Sequence, residues 1–307
     1  MSVRDHGRAV LVMVVDHSGS VPGVTGTFVV VSEKGVAGTI GGGAAEKELV
    51  DRALVHDGEP GLVPFRHTPS EGGTLCSGLQ VFAIISLTRD DEKTIEEIVD
   101  TLAKQGLGTL ELSRGGIRFD AGVARQRRYD EEDGGWSLTE PLGLLDTLYI
   151  IGGGHVCLAL SRVMATLPFR IIVLDNRSEL PTMAANNHAH EMRVIELDTV
   201  AEHVEEGERS WVVIMTFGHI HDRQVLEGLL GKSFAYLGLM GSEAKVRQMY
   251  GAMKADGIAT EDLESVRAPI GLSIGSHTPE EIAISIAAEI IAVRNRRDEK
   301  CPRSASV

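Results

Sequence analysis

The chain of 307 residues is long enough for two compact domains, each with its own core. Hydrophobic residues make up 43% and charged residues 24%, ordinary globular proportions that exclude a disordered, collagenous or coiled-coil chain. With 30 Lys+Arg against 44 Asp+Glu, the formal net charge of −14 repels phosphate backbones and anionic lipid alike, so no nucleic-acid or membrane partner is expected.

Residues 9–15 form an unbroken apolar run, the pattern of a strand covered on both faces. Residues 27–32 and 36–40 are β-branched runs joined by Glu33-Lys34-Gly35, where Gly35 can supply the positive φ of a short hairpin. Gly41-Gly42-Gly43 leads into a helix over 44–54, in which Ala45, Leu49, Ala53 and Leu54 recur at helical spacing. A buried strand is predicted over 79–87, a helix starting at the capping-box pattern Thr94-Ile95-Glu96-Glu97, and a hairpin from 110–113 and 117–119. From 125 to 141 the chain turns polar and charge-blocked, which reads as a linker. The expected organisation is thus a first domain over 1–124, a linker over 125–141 and a second domain over 142–307.

The second half alternates strand and helix: 148–151, 155–167, 171–174, 193–197, 211–216, 222–230 and 235–239. That alternation predicts an α/β, doubly wound parallel sheet covered on both faces. The last helix is announced by Thr278 as N-cap, Pro279 at the first helical position and Glu281 completing the box. Residues 282–293 are apolar nearly all round, which predicts burial between the sheet and another element or subunit.

The chemistry concentrates at glycines. In Tyr149-Ile150-Ile151-Gly152-Gly153-Gly154-His155-Val156-Cys157 a strand runs through a tight turn into a helix, whose unpaired N–H groups and positive dipole end suit a pyrophosphate approaching Gly154. Asp175, 21 residues after Gly154, stands where an acidic group meets ribose hydroxyls. Cys157 replaces the third glycine of the dinucleotide pattern, so the turn reads as a looser relative of that fold. A second cluster, Gly38-Thr39-Ile40-Gly41-Gly42-Gly43-Ala44-Ala45-Glu46, offers either another nest of main-chain amides or a tight packed turn, with Glu46 favouring the helix dipole in both cases. Gly241-Ser242-Glu243-Ala244-Lys245 places a capping serine and a lysine at a further helix start, reading as a plain cap or an anion clamp.

Thr216-Phe217-Gly218-His219-Ile220-His221-Asp222 ends a strand with two histidines that offer metal ligands or an acid–base pair, while Asp222 reads equally as a helix N-cap. His188 and His190 read as solvated loop residues. Cys76 lies among glycines whose amides could stabilise a thiolate for sulfur or a soft metal, against the plainer reading of a small buried hydrophobe. Cys157 reads as helix packing and Cys301 as part of a polar tail. Three widely spaced cysteines fit a reducing compartment, and a polar stretch over 1–8 with no long apolar run anywhere predicts a cytoplasmic protein.

Taken together, Gly38 to Glu46, the Gly152 to His155 turn, Tyr236 to Lys245 and Pro269 to Glu289 resemble the XdhC/CoxI family, accessory proteins that mature xanthine dehydrogenase and related molybdenum hydroxylases. The resemblance covers nearly the whole chain. It implies an N-terminal α+β domain, a C-terminal Rossmann-like domain, and a homodimeric chaperone that binds molybdenum cofactor and need not turn over a substrate. The cofactor would be molybdopterin or a dinucleotide form, held between two glycine-rich surfaces with Cys76 near the molybdenum, sulfurated with a cysteine desulfurase and delivered to a hydroxylase apoenzyme. The cofactor-binding set implied is Gly41, Gly42, Gly43, Glu46, Gly152, Gly153, Gly154, His155, Asp175, His219, Gly241, Ser242 and Lys245. Departures from the family pattern fall at Ser20-Val21-Pro22-Gly23, Cys76-Ser77-Gly78, Phe217-Gly218, Ser273 and Cys157. The main rival is an NAD(P)-dependent oxidoreductase using Gly152, Gly154 and Asp175 with His219 or His221 as acid–base; a third is an interaction scaffold using the last helix as a dimer surface.

Overall fold

The structure, a computed structural model, describes residues 8–67, 77–132 and 134–300. The chain divides into two compact units that part between Gly143 and Leu144. In the first unit, β1 (Ala9–Gly19), β2 (Phe28–Ser32), β3 (Gly35–Gly38), β4 (Gly61–Arg66) and β5 (Gly78–Leu87) form an antiparallel sheet in the order β3-β2-β1-β5-β4. A second antiparallel sheet comprises β6 (Gly108–Ser113), β7 (Gly116–Ala121), β8 (Arg128–Glu132) and β9 (Gly135–Leu142), in the order β7-β6-β9-β8.

The alternation of β1 sets the layers. Val10, Val12 and Val14 pack with Phe82, Ile84 and with Leu49 and Ala53 of α1 (Gly43–Val55). Leu11, Met13 and Val15 point the other way, onto Leu110, Leu112, Trp136 and Leu138 of the second sheet. Both faces are covered, as an unbroken apolar strand requires.

Two expectations need correction in this unit, and one strand goes unforeseen. Residues 125–141 are not a linker: they supply β8 and β9, and the alternating Trp136 and Leu138 cover one face of β1. The polar first half of that stretch masks the period-2 pattern of the second. The helix expected at Thr94 is α2 (Glu92–Ala103), and the capping box belongs to Thr88 and Asp91 on the short 3-10 turn that precedes it. Strand β4 is hidden from a sequence reading by Pro64, which is tolerated because β4 is the outer strand of its sheet.

The second unit is a parallel sheet of β10 (Asp146–Ile151), β11 (Phe169–Asp175), β12 (Glu191–Val194), β13 (Gly207–Ile214) and β14 (Phe234–Leu239), in the order β12-β11-β10-β13-β14. Its helices are α3 (His155–Met164), α4 (Pro181–Ala184), α5 (Val200–His203), α6 (His219–Leu229), α7 (Glu243–Ala255), α8 (Thr260–Glu264) and α9 (Pro279–Lys300). Successive strand residues face opposite layers. Tyr149, Ile151, Val212 and Ile214 meet Val225, Leu226, Met249 and Met253, while Leu148, Ile150, Trp211 and Val213 meet Leu160, Ala283, Ile286 and Ile290.

Strand β12 starts two residues before the expected 193, and Ile195 and Leu197 are buried beyond its end instead of within it. The box at α9 forms as expected, with the Glu281 carboxylate accepting from the N–H groups of His277 and Thr278. The apolar body of α9 packs inward beside α3, and Ile284 is its exposed large hydrophobic residue among those described. No described helix is long and apolar enough to cross a membrane. Because Leu138 is fully buried beneath β1, Leu138→Ala is expected to cost about 2–5 kcal/mol in urea unfolding, where a linker position would cost almost nothing.

Candidate functional site

The order of the parallel sheet dictates where a ligand fits. The chain leaves β10 toward β11 and β12 on one side and then returns to β13 and β14 on the other. Loops following β10 and β13 therefore diverge at the carboxyl edge, the crevice in which open α/β sheets hold ligands.

The glycine turn after β10 has three different jobs. Gly152 has φ +113°, and a Cβ there would lie 2.3 Å from the Met215 carbonyl oxygen of the loop after β13. A Cβ on Gly153 would lie 2.6 Å from the Met183 side chain. At Gly154 an added Cβ meets nothing within 4 Å. Backbone crowding and a positive φ therefore demand glycine at 152, a Cβ at 153 would make the Met183 side chain shift, and Gly154 faces open space. Gly154 is also the N-cap of α3 and gives it no side-chain cap, which leaves the first-turn amides and the positive dipole end without one, and His155 beside them is exposed.

Asp175, at the end of β11, holds this turn from below. It is 1% exposed, and its carboxylate accepts from the Gly153 N–H at 2.6 Å. It also accepts from Arg177 through the main-chain N–H at 2.9 Å, Nε at 2.8 Å and Nη2 at 2.7 Å. Burial opposes its charge, but the hydrogen bonds from Arg177 and Gly153 outweigh burial and hold the carboxyl below its ordinary pKa. The Arg177 guanidinium lies 5.8 Å from the centre of the Phe217 ring, which is 77% exposed. Residue patterns alone do not single out Arg177; the signal that could have found it is an arginine two residues after the strand-end acid.

After β13 the expected N-cap role of Asp222 does not hold. Helix α6 begins at His219 with Gly218 as N-cap, and Asp222 lies in its first turn. Its buried carboxylate accepts from Thr216 N–H at 2.9 Å, from Thr216 Oγ1 at 2.5 Å and from Lys245 Nζ at 2.6 Å. Lys245 is thus charge-matched by Asp222, while Ser242 Oγ caps α7 by accepting from the Lys245 N–H at 3.3 Å. Gly241 directly precedes that cap. His219 is exposed, and His221 Nδ1 lies 2.9 Å from the Phe217 carbonyl oxygen. Among the described residues no group of three His, Cys, Asp or Glu is placed to hold a metal ion.

The glycines of the first unit behave differently. Glu46 Oε2 accepts from Ile40 N–H at 2.8 Å, Gly42 N–H at 3.1 Å and Thr39 Oγ1 at 2.6 Å, while Gly41 N–H donates to Thr39 Oγ1 at 3.1 Å. Bare amides at Gly41 and Gly42 are therefore a corrected expectation: the chain's own carboxylate and hydroxyl occupy them. Thr39 first, then Ile40 and Gly42, hold the Glu46 carboxyl below its ordinary pKa. Gly43 keeps open space about its Cα. Cys76, the expected sulfur or metal contact, lies outside the described residues.

A family model described as the XdhC Rossmann domain matches residues 148–290, and one described as the XdhC and CoxI family matches 2–66, together more than half of the chain. The chain belongs to the XdhC/CoxI family. Among curated relatives, the Escherichia coli (strain K12) uncharacterized protein YqeB is 33% identical over 50% of this chain and 28% of its own length. A probable xanthine dehydrogenase subunit of Bacillus subtilis (strain 168) is 26% identical over 48% of this chain and 43% of its own length. The match thus spans less than half the length of these relatives. A solved structure described as a xanthine dehydrogenase from Bacillus halodurans superposes with a TM-score of 0.73 at 21% identity, covering 98% of this chain and 94% of that one, a likeness of fold.

Three of the positions that depart from the XdhC/CoxI pattern, Gly23, Cys157 and Ser273, have definite surroundings. A Cβ on Gly23 would lie 2.1 Å from the Ile40 carbonyl oxygen, so this backbone admits no larger residue there. Cys157 is buried among Leu160, Met164 and Met183, and burial pushes its thiol up to about 12, as expected of a packing residue. His190, expected to be solvated, is half-buried, and its Nδ1 accepts from the Ile171 N–H at 3.0 Å. Ser273 is exposed in a loop that Ser285 Oγ fastens to α9 through the Leu272 carbonyl at 2.6 Å.

Two outcomes follow from the glycines. Gly152→Ala is expected to lose about 2–4 kcal/mol in urea unfolding through its positive φ and its clash, and Gly154→Ala about 1 kcal/mol or less. Glu46→Gln is expected to cost about 1 kcal/mol at neutral pH. Because folding depresses the Glu46 pKa, the wild-type advantage is complete above the unfolded value of about 4.3 and disappears as pH falls through the lower native value, which pH-resolved unfolding measures.

Proposed function

We propose that this chain is an accessory protein of a xanthine dehydrogenase-type molybdenum hydroxylase, and that its second unit holds the phosphate-bearing molybdenum cofactor at the carboxyl edge of the parallel sheet. The observation that carries this reading is the open approach at Gly154, the N-cap of α3: a Cβ there meets nothing within 4 Å, and among the described residues no side chain caps the helix. A phosphate group suits those donors and the dipole behind them. The residues that would hold it are the amides of 154–156, with Arg177 alongside. The bound group supplies a soft metal with its sulfur ligands; the chain binds and orients the phosphate end. Family membership and the Bacillus subtilis relative's name support the class of partner. Sulfuration with a cysteine desulfurase, a contact from Cys76 and assembly as a homodimer belong to the same reading and rest on the family resemblance.

A nicotinamide-dependent oxidoreductase is poorly served by the same edge. Both oxygens of Asp175 are engaged, Asp222 is buried between Thr216 and Lys245, and no described carboxylate pairs with His219 or His221. Acid–base catalysis needs a group within reach whose proton can move, and these acids are fixed in other bonds.

Protein purified from a molybdate-fed host is expected to carry pterin, phosphorus and molybdenum. Gly154→Leu, which projects a side chain into the open approach, is expected to reduce that content by roughly tenfold or more while keeping its unfolding transition. Wild-type protein that retains no pterin would overturn the reading.

A further inference from the structure

In dinucleotide folds an acidic residue after the second strand accepts from ribose hydroxyls. Here that role is closed. Asp175 is 1% exposed, and its two oxygens already accept from Gly153 N–H and from three N–H groups of Arg177. A carboxylate has about four lone-pair sites, so an arriving hydroxyl would have to displace a buried amide or a guanidinium N–H.

Arg177 has the opposite disposition. Its side chain is 38% exposed, and Asp175 engages only Nε and one N–H of Nη2. The remaining three of its five donors have no acceptor among the described residues. Phe217 steadies the guanidinium from 5.8 Å. Arg177 follows β11 and Phe217 follows β13, and those strands flank β10 on opposite sides. Their contact therefore crosses the end of β10, where the glycine turn begins.

Resting on the reading that a phosphate-bearing ligand enters at this edge, we infer that Arg177 is the specificity-determining residue of the site, selecting ligands with a phosphate at the ribose-side position over ligands that present a neutral diol there. A guanidinium fork matches two phosphate oxygens at once, whereas a diol would bring donors to a group that has only donors. Asp175 acts as a positioning residue: it fixes one edge of the fork and turns the other outward.

NADP+ and NAD+ are suitable probes because they differ by one phosphate. Titration calorimetry on the full chain is expected to show NADP+ binding at least about tenfold more tightly than NAD+ at low salt, with the advantage shrinking as ionic strength rises. Arg177→Gln is expected to bring the two probes within about twofold, and Arg177→Lys to keep part of the preference because charge remains while the fork is lost. Equal affinity in the wild type, no measurable binding of either probe, or a preference that survives Arg177→Gln overturns the inference. Thermal unfolding checks that each variant is folded, and the wild-type comparison stands without them. Pterin retention on the same preparations tests the proposed function separately. Retention without phosphate preference removes Arg177 from its role and leaves the cofactor reading, while preference without retention does the reverse.

Discussion

A single buried carboxylate organises the carboxyl edge of the parallel sheet. Asp175 takes the amide of Gly153 and the guanidinium of Arg177 together, tying the turn after β10 to the end of β11. Burial by itself would favour the neutral acid; the convergence of four donors makes the anion the stable form. Without it, the buried Gly153 amide would lose its acceptor, which is costlier than that bond is individually worth, and the partly exposed guanidinium would lose its partner. The positions of Gly154 and of the Arg177–Phe217 contact follow from that one anchor.

The two glycine turns show how similar strings reach different ends. At residues 41–43 the chain bends so that Glu46, one turn into its own helix, reaches back to the amides of Ile40 and Gly42. At 152–154 no acidic residue follows within the first turn of α3, and Gly154 stays open. Both strings admit a nest in sequence, the first of them equally a tight packed turn; which one is already satisfied depends on a side chain four residues away and on the positive φ of Gly42.

Much of the architecture is legible in the residues because burial on both faces leaves continuous apolar runs. β1, β10 and β13 declare themselves this way, as do the caps at Ser242 and Thr278. What is illegible has physical reasons. The pattern of Trp136 and Leu138 follows a charged stretch, so composition outweighs alternation across 125–141. Thr88 and Thr94 both precede acids at capping distance, and only the fold selects the first. Among site residues, glycine positions are readable because backbone geometry is written in residue type. The engagement of Asp222 by Lys245 and of Asp175 by Arg177 is not, since both pairings depend on where separate elements end.

Strand β4 carries a further meaning. A regular ladder laid against an outermost strand requires an uninterrupted series of main-chain donors, and Pro64 supplies none at its place. Pairing with β5 nevertheless continues through Pro64, so the interruption does not break the sheet it belongs to. That border is poorly suited to templating, because a strand laid against it from another molecule would find no main-chain donor at Pro64.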